Sequence, residues 1–226
     1  EEKGFTVDVK TFEELMSKQR EKAKAARKET YRIDALVALF SQLEPTVFRG
    51  YETLECKAKV KFIVDDDKPR EFMDETDRDI ILVIDQTPFY PESGGQIGDT
   101  GIIKGEGFEF RVFNTQKTPD GKIYHIGRII RGKISVNDDV VAIVDSNRRK
   151  AIARNHSATH LLHKSLKQVL GEHVNQAGSL VEDTRLRFDF SHHSSMTPEE
   201  ILKTEELVNE AILNNLPVNV IETTVQ

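Results

Sequence analysis

The middle of the chain, residues 45–145, consists of short runs rich in β-branched and aromatic residues, and this stretch most constrains the fold. Clusters of Gly, Pro, Asn and Asp separate the runs, as expected where turns connect strands. The predicted strands cover residues 53–64, 80–86, 100–104, 108–116, 122–130 and 140–144. A series of short strands of this kind predicts a small antiparallel β-barrel.

The segment before the barrel, residues 1–44, has a helical pattern. An apolar stripe begins at Phe12, and a run rich in lysine and arginine occupies residues 18–28. A second helix is predicted over residues 31–43, ending before Pro45 because a proline disfavours helical geometry in the residue that precedes it. The basic run indicates either a solvated helix face or a strip that contacts an RNA backbone.

A long helix is predicted at the start of the third segment, residues 146–226. Asp145 or Ser146 can cap its first turn, and Gly171 can end it. The rest of this segment predicts a hairpin over residues 179–190, a helix that follows Thr197 and a strand over residues 218–223.

The three segments together predict an α+β protein with three parts. Residues 1–44 form N-terminal helices, residues 45–145 form the small antiparallel β-barrel, and residues 146–226 form an antiparallel sheet with helices on one face.

Two histidines four residues apart, His156 and His160, lie on the predicted long helix. Side chains at that spacing share one helix face, so both imidazoles can reach a single metal ion, and His163 falls on the same stripe. Peptide hydrolysis is not expected, because Ser157 stands where a metalloprotease helix carries its glutamate. Two imidazoles are too few for zinc, so further ligands must come from elsewhere, or the histidines simply make local hydrogen bonds.

A glycine-rich loop, residues 87–101, is predicted between two of the barrel strands. Gly94 and Gly95 would let the backbone approach a substrate or another element closely, although an ordinary tight turn is the alternative. With Gln96 they also match the tripeptide of translation release factors, but the structured flanks argue against that family. His192 and His193 lie in a polar turn and are predicted to be surface residues.

The composition sets outer limits on the function. The chain of 226 residues is 38% hydrophobic and has no apolar run of membrane-spanning length, which predicts a soluble, cytoplasmic protein that binds no membrane. A single cysteine, Cys56, excludes an internal disulfide. The formal net charge of −6 argues against a uniformly basic nucleic-acid binder, while local basic patches remain available for phosphates.

Three motifs in combination, residues 89–99, 155–163 and 176–181, resemble the editing region of bacterial alanyl-tRNA synthetases. Residues 12–16 and the basic run after them resemble the end of that family's tRNA-recognition domain, so the resemblance covers essentially the whole chain. The editing domain of threonyl-tRNA synthetases shares the histidine helix, but the glycine-rich loop favours the alanyl branch.

The resemblance implies hydrolysis of tRNA(Ala) mischarged with serine or glycine, with the rest of the synthetase acting in cis. It also implies a zinc ion held by His156, His160, and a cysteine and a histidine further along the chain, which have no counterpart before Gln226. We therefore expect an incomplete zinc site and, without an ATP-binding segment, no charging of tRNA. A catalytically incompetent tRNA-binding fragment and a free-standing deacylase are the alternatives.

The resemblance and the chemistry of ester hydrolysis suggest roles for individual residues. The loop residues Gly94, Gly95 and Gln96 are candidate catalytic positions. Gln176, or otherwise Thr159, is expected to pair with the serine hydroxyl. Such a contact discriminates strongly between serine and alanine, because alanine would leave the polar group unpaired. Alternatively, Gln176 could cap the turn between helix and strand.

Three basic residues in the first turn of the histidine helix, Arg148, Arg149 and Lys150, occupy positions where the helix dipole disfavours positive charge. They are predicted to contact phosphates at the acceptor end of tRNA(Ala), unless they belong to a simple exposed turn.

Overall fold

The computed structural model describes residues 8–219 and 221, and for residues 22–32 it describes the backbone only. Its helices are α1 (Val9–Leu39), α2 (Ser146–Leu170) and α3 (Pro198–Leu213). Its strands are β1 (Val47–Phe48), β2 (Glu55–Asp65), β3 (Lys68–Arg70), β4 (Phe72–Met73), β5 (Ile80–Ile84), β6 (Gln86–Thr87), β7 (Gly101–Gly105), β8 (Phe108–Lys117), β9 (Ile123–Arg131), β10 (Ile134–Ser135), β11 (Asp139–Val144), β12 (Gln176–Val181) and β13 (Leu186–Phe190).

Six of the strands close into an antiparallel barrel in the order β11-β7-β8-β9-β5-β2, and β2 then pairs with β11. The predicted barrel is therefore confirmed, and its strands agree with the prediction to within about two residues. Closure leaves these strands without a free edge. The interior is filled by fully buried apolar side chains, the largest of which are Ile63, Ile80, Leu82, Ile84, Phe89, Ile103, Phe108, Phe110, Ile129 and Ile134.

Strand β5 explains how the N-terminal helix attaches to the barrel. All five of its residues are buried, because Ile81 and Val83 point out of the barrel into a second apolar cluster. The C-terminal end of α1 supplies Leu36 and Phe40 to this cluster, and both are almost completely buried. A strand that is apolar on both faces thus predicts a covering element, which here is the helix.

The prediction of two N-terminal helices is wrong, because α1 runs without interruption from Val9 to Leu39. No glycine or proline lies within this range, so nothing in the sequence breaks the helix at the predicted junction. The helix begins with the Asp8 carboxylate accepting from the Thr11 backbone N–H at 3.0 Å. The side chains of the basic run from residue 22 onward lie outside those described.

Helix α2 starts directly after the last barrel strand. Asp145 caps it by accepting from the backbone N–H groups of Asn147 and Arg148, and Gly171 ends it with φ 113°, as predicted. Beyond α2, the strands β12 and β13 form the predicted antiparallel hairpin, which packs against α2. Helix α3 begins with a capping box and also packs against α2, so the hairpin and the two helices form a second layer beside the barrel.

The remaining sequence predictions concern the C-terminal strand, the shortest strands and the division into three parts. Half of the predicted strand 218–223 lies outside the described residues, and the three described ones among them carry no strand. Strands β1, β3, β4 and β10 were not predicted, because segments of two or three residues show no alternation. The three-part division at residues 44 and 145 stays a prediction. Among the described helices, none has the length and apolar character needed to cross a membrane.

Candidate active site

The two histidines predicted to share a helix face do so in the structure. The rings of His156 and His160 on α2 are stacked, with centroids 5.1 Å apart and planes inclined by 29°. His156 is half-buried and His160 is exposed, so the pair lies at the surface of the helix and is accessible to a ligand. This arrangement follows directly from the four-residue spacing on a helix.

Gln96 of the glycine-rich loop contacts the first of these histidines. Its side chain is 7% exposed, and its Oε1 lies 2.7 Å from Nδ1 of His156. Since an amide oxygen only accepts, Nδ1 donates its proton and Nε2 of the same ring keeps a lone pair. A hydrogen bond of this kind fixes the orientation of metal-binding histidines in proteins. The loop and the helix, 60 residues apart in sequence, thus meet at one site.

The pKa of His156 is lowered from its ordinary value. Burial of the imidazole is the main cause, and the neighbouring His160 adds to it. The neutral ring is the form that offers a lone pair to a metal ion, so the surroundings of His156 favour the ligand form at neutral pH.

Gly95 brings the loop against the hairpin. The Val181 N–H donates to Gly95 O at 2.8 Å, and the Ile97 N–H donates to Val181 O at 3.2 Å. A Cβ on Gly95, which has φ +85°, would lie 2.5 Å from the carbonyl oxygen of Ser179. The predicted close approach of backbone to another element is therefore confirmed at this glycine, and it places the neighbouring Gln96 over α2.

Arg149 fastens the start of α2 to the loops of the barrel. Its guanidinium pairs with the carboxylate of Asp99, which is 1% exposed. The same group donates to Gly50 O at 3.0 Å and to Pro88 O at 2.8 Å. These contacts use the fork of guanidinium donors within the protein itself and give Arg149 a structural role.

The other two basic residues of this turn differ in exposure, because Arg148 is half-buried like Arg149. Arg148 donates to Gly98 O at 2.8 Å and lies 4.0 Å from the carboxylate of Asp183. Lys150 is exposed. Contact of these three residues with tRNA stays a prediction. Lys150 is the best suited to such a contact because it is exposed.

A cavity of about 310 Å³ adjoins His156. Its volume falls at the lower end of the range that is typical of small-ligand sites. It is lined by Tyr51, Tyr90, Gln96, Arg149, Ala153, His156 and Ser157. Tyr51 and Tyr90 were not expected from the sequence, because an aromatic residue in a turn gives no pattern that separates a ligand contact from packing.

The two residues proposed to recognise serine lie in different surroundings. Thr159 is buried, and its hydroxyl donates to the backbone oxygen of Asn155 at 2.8 Å. Gln176 is exposed at the start of β12, where it pairs with Phe190, and it is not among the described residues that line the cavity beside His156. Their roles in recognition stay predictions.

His163, the third histidine of the stripe, faces the hairpin. Its ring packs against Phe188 with centroids 5.0 Å apart, and its Nε2 lies 3.4 Å from Val174 O. Packing of this kind accounts for His163 without a metal ion.

A second group of histidines forms where the hairpin meets the end of α2. Nε2 of His173 lies 2.9 Å from Nδ1 of His192, and His193 stacks on His173 with ring centroids 4.5 Å apart. The nitrogen atoms of all three lie within 4.8 Å of one another. His192 and His193 were predicted to be surface residues, and in the structure His193 is exposed and His192 half-buried. The cluster that they form with His173 was not predicted. Within the described part of the chain, this cluster and not the pair His156 and His160 brings three ligand-bearing side chains together.

Zinc fits the first pair of histidines as half of a site. Two imidazole nitrogens, one of them oriented by Gln96, are suitable ligands, and zinc in proteins usually takes three or four. His156 and His160 would hold the metal together with ligands from beyond this pair.

Comparisons with known proteins agree with the motifs. The profile of the family described as class II (A) tRNA synthetases matches residues 1–148. The chain is 45% identical to an alanine–tRNA ligase of Desulforamulus reducens and 46% identical to that of Pelotomaculum thermopropionicum, over 99% and 98% of its length. It spans about a quarter of the length of these relatives, 26% in both cases. The chain therefore belongs to the class II (A) tRNA synthetase family.

Proposed function

We propose that this chain is the editing region of an alanine–tRNA ligase and that it hydrolyses the ester of tRNA(Ala) mischarged with serine or glycine. The observation that supports this most is the contact between Gln96 of the glycine-rich loop and His156 of the histidine pair. This contact brings together, beside one accessible cavity, two motifs that resemble those of the editing region.

The reaction requires little from the protein beyond placement and charge stabilisation. Water attacks the ester carbonyl carbon, the bond between that carbon and the ribose oxygen breaks, and the ribose oxygen takes up the proton to become a free hydroxyl. The products are the free amino acid and tRNA(Ala). Because the ester is already activated, a site that orients the tRNA end and stabilises the oxyanion suffices for a large acceleration.

Gln96 is suited to act on both the histidine and the substrate. Its amide oxygen accepts from His156, while its amide nitrogen carries two N–H donors. We assign these donors to the developing oxyanion. Gly94 and Gly95 hold the loop in a conformation with positive φ at both positions, which sets the direction of Gln96.

Zinc would be held by His156 and His160 and would supply Lewis acidity for the attack of water on the ester. The neutral form of His156, favoured by its burial, is the form that binds the metal.

Recognition of the misplaced amino acid requires a polar contact that alanine leaves unpaired. Gln176 stays our first candidate for this contact and Thr159 our second. Because Gln176 is exposed, its side chain would contact the substrate at the edge of the site.

The tRNA acceptor end approaches along the start of α2 in this proposal. Arg148 and Lys150 are the candidates for phosphate contacts, since Arg149 is engaged with Asp99. Phosphate contacts of this kind weaken as salt increases.

A second candidate function is a tRNA-binding region that does not hydrolyse the ester on its own. It is favoured by the cluster of His173, His192 and His193, because in the described residues three potential ligands meet there and not at His156.

An assay of serine release from Ser-tRNA(Ala), with bound zinc measured in parallel, separates the two candidates. We expect turnover that falls about 100-fold or more in Gln96→Glu, which keeps an acceptor for His156 but removes the N–H donors. Zinc content should be determined with His193→Ala as well, so that binding at the second histidine cluster is subtracted.

Gln176→Ala serves as the test of amino-acid recognition in the same assay. Binding of tRNA without turnover and without zinc at His156 would establish the second candidate in place of the first. Equal turnover by the wild type and Gln96→Glu would refute the role assigned to Gln96.

A further inference from the structure

Tyr51 lies in the turn between β1 and β2 and is the most exposed large apolar or aromatic side chain in the described residues, at 87%. Nevertheless it lines the cavity beside His156, together with Tyr90 and Gln96. A single exposed aromatic ring is unremarkable on a protein surface. The position of this ring, at the mouth of the candidate active site, is what requires an explanation.

The turn that carries Tyr51 is tightly held. A Cβ on the preceding residue, Gly50, would lie 2.4 Å from both the Phe48 ring and Pro88 O. The Gly50 carbonyl accepts from Arg149, which lies seven residues before His156 and hence two turns earlier on the same helix. Arg149 thereby links the backbone beside Tyr51 to the helix that carries the histidines.

Aromatic rings continue from Tyr51 into the protein. Phe48 meets Tyr51 edge to face with centroids 5.0 Å apart, and it meets Tyr90 in the same way at 6.0 Å. Phe48 thus supports both tyrosines from behind, and because Tyr51 is so exposed, its own ring contributes little buried area to folding.

A second cavity of about 350 Å³ shares these two tyrosines with the first. It also contains the exposed Lys117, at the end of β8, and Ser93. Tyr51 and Tyr90 therefore line both the cavity that includes His156 and the cavity that includes Lys117.

We propose that Tyr51 and Tyr90 bind the terminal adenine base of the tRNA 3′ end, with the aminoacyl ester in the cavity of His156 and the preceding nucleotide in the cavity of Lys117. This inference rests on the proposed function, since it names how the substrate of that site is held. Lys117 contacts the phosphate that joins the last two nucleotides.

Chemical connectivity supports this placement. The ester is attached to the ribose of the terminal adenosine, so the base lies one sugar away from the bond that is broken. Single-stranded RNA ends are bound by stacking of bases on aromatic side chains, combined with cations along the backbone. Two tyrosines beside the histidine site and a lysine beyond them provide these groups in the required order.

The test uses a stable analogue, adenosine with a seryl group joined to its 3′ position by an amide, and measures binding to the whole chain by calorimetry. Tyr51→Ala should weaken binding roughly 5- to 100-fold, the range of one base-stacking contact. Tyr51→Phe should bind within about twofold of the wild type, since the ring is what stacks. Thermal unfolding of each variant reports whether the fold is kept.

Phe72→Ala is the matched control, because Phe72 is another aromatic residue with high exposure, 50%, and does not line either of the two cavities. An analogue without the base provides the reciprocal test. It should bind weakly to the wild type and no more weakly to Tyr51→Ala.

Lys117→Ala is expected to leave the mononucleoside analogue unaffected. It should weaken binding of a CCA trinucleotide carrying the same seryl amide, and it should reduce the salt dependence by about one phosphate contact. Equal effects on both ligands would overturn the assigned direction of the RNA across the two cavities.

The inference is overturned if the wild type does not bind the analogue, or if Tyr51→Ala binds it as tightly as the wild type does. These outcomes are separate from a failure of the proposed function. Binding through Tyr51 without hydrolysis would refute only the hydrolysis, whereas hydrolysis with no effect of Tyr51→Ala on binding would refute only this inference.

Discussion

At the scale of the residue, the buried His125 shows how strongly the barrel interior controls ionisation. Its Nδ1 lies 3.1 Å from Leu82 O and its Nε2 lies 2.8 Å from the Thr87 hydroxyl. The carbonyl can only accept, so Nδ1 carries the proton and Nε2 accepts from Thr87. Complete burial lowers the pKa of His125 to about 4. The neutral ring is therefore part of the folded core.

Protonation of His125 should destabilise the protein in acid. The unfolded chain takes up this proton near the ordinary pKa of 6.5, and the folded chain only near 4, so stability is complete above about pH 6.5 and falls as the pH decreases toward 4. The full loss in unfolding free energy is about 3 kcal/mol.

Urea unfolding between pH 7 and pH 4 measures this loss, with His125→Gln as the control that lacks the titrating group. The slope of stability against pH should be smaller in the variant by the contribution of His125. Identical slopes would mean that the buried imidazole does not control acid stability.

At the scale of the element, the glycine-rich loop acts as an extension of the hairpin. Gly95 and Ile97 exchange backbone hydrogen bonds with Val181 on β12. The loop is thereby fixed at the side of α2 where His156 lies. Its conformation depends on two glycines in succession, of which only Gly95 lies against another backbone.

Alanine substitutions at these two glycines should have unequal effects. Gly95→Ala places a Cβ 2.5 Å from Ser179 O at φ +85°, and we expect a loss of about 2–4 kcal/mol in unfolding free energy. Gly94→Ala has open space at φ +61°, so only the backbone strain of about 1 kcal/mol is expected. Chemical denaturation of both variants provides the measurement. Equal losses would contradict the close contact of loop and hairpin.

The start of α2 is the second connection between elements. Arg149→Ala leaves the carboxylate of Asp99 buried without its cation, and a loss of about 3–5 kcal/mol in unfolding free energy is expected. Lys150→Ala, one residue further and exposed, should change stability by less than about 0.5 kcal/mol. Thermal and urea unfolding compare the two. A small effect at Arg149 would show that its contacts are not a structural link.

The elements were predictable from sequence to different degrees. Alternating runs of five residues or more gave the barrel strands, and caps at Asp145 and Thr197 gave the helix starts. The single long α1 was missed because its apolar pattern is weak and, among its described side chains, the buried ones lie in its last turns. Contacts across the sequence, such as Arg149 with Asp99, have no local signal at all.

At the scale of the whole molecule, α2 joins the barrel to the second layer. Its first turn is fastened to barrel loops by Arg149 and its middle carries the histidine pair, and the helix also packs against the hairpin and α3. The sequence predicted this helix and its histidines, and Gln96 as a site residue. The meeting of Gln96 and His156, and the presence of Tyr51 beside them, required the structure.

The central claim is that the pair of His156 and His160 is the site of ester hydrolysis. The most direct test is the rate of serine release from Ser-tRNA(Ala), with zinc present, by the wild type and by the double variant His156→Ala, His160→Ala. We predict release above the rate in buffer for the wild type and a return to the buffer rate in the double variant, with its unfolding temperature retained. Serine release that is the same with and without the two histidines would contradict the claim.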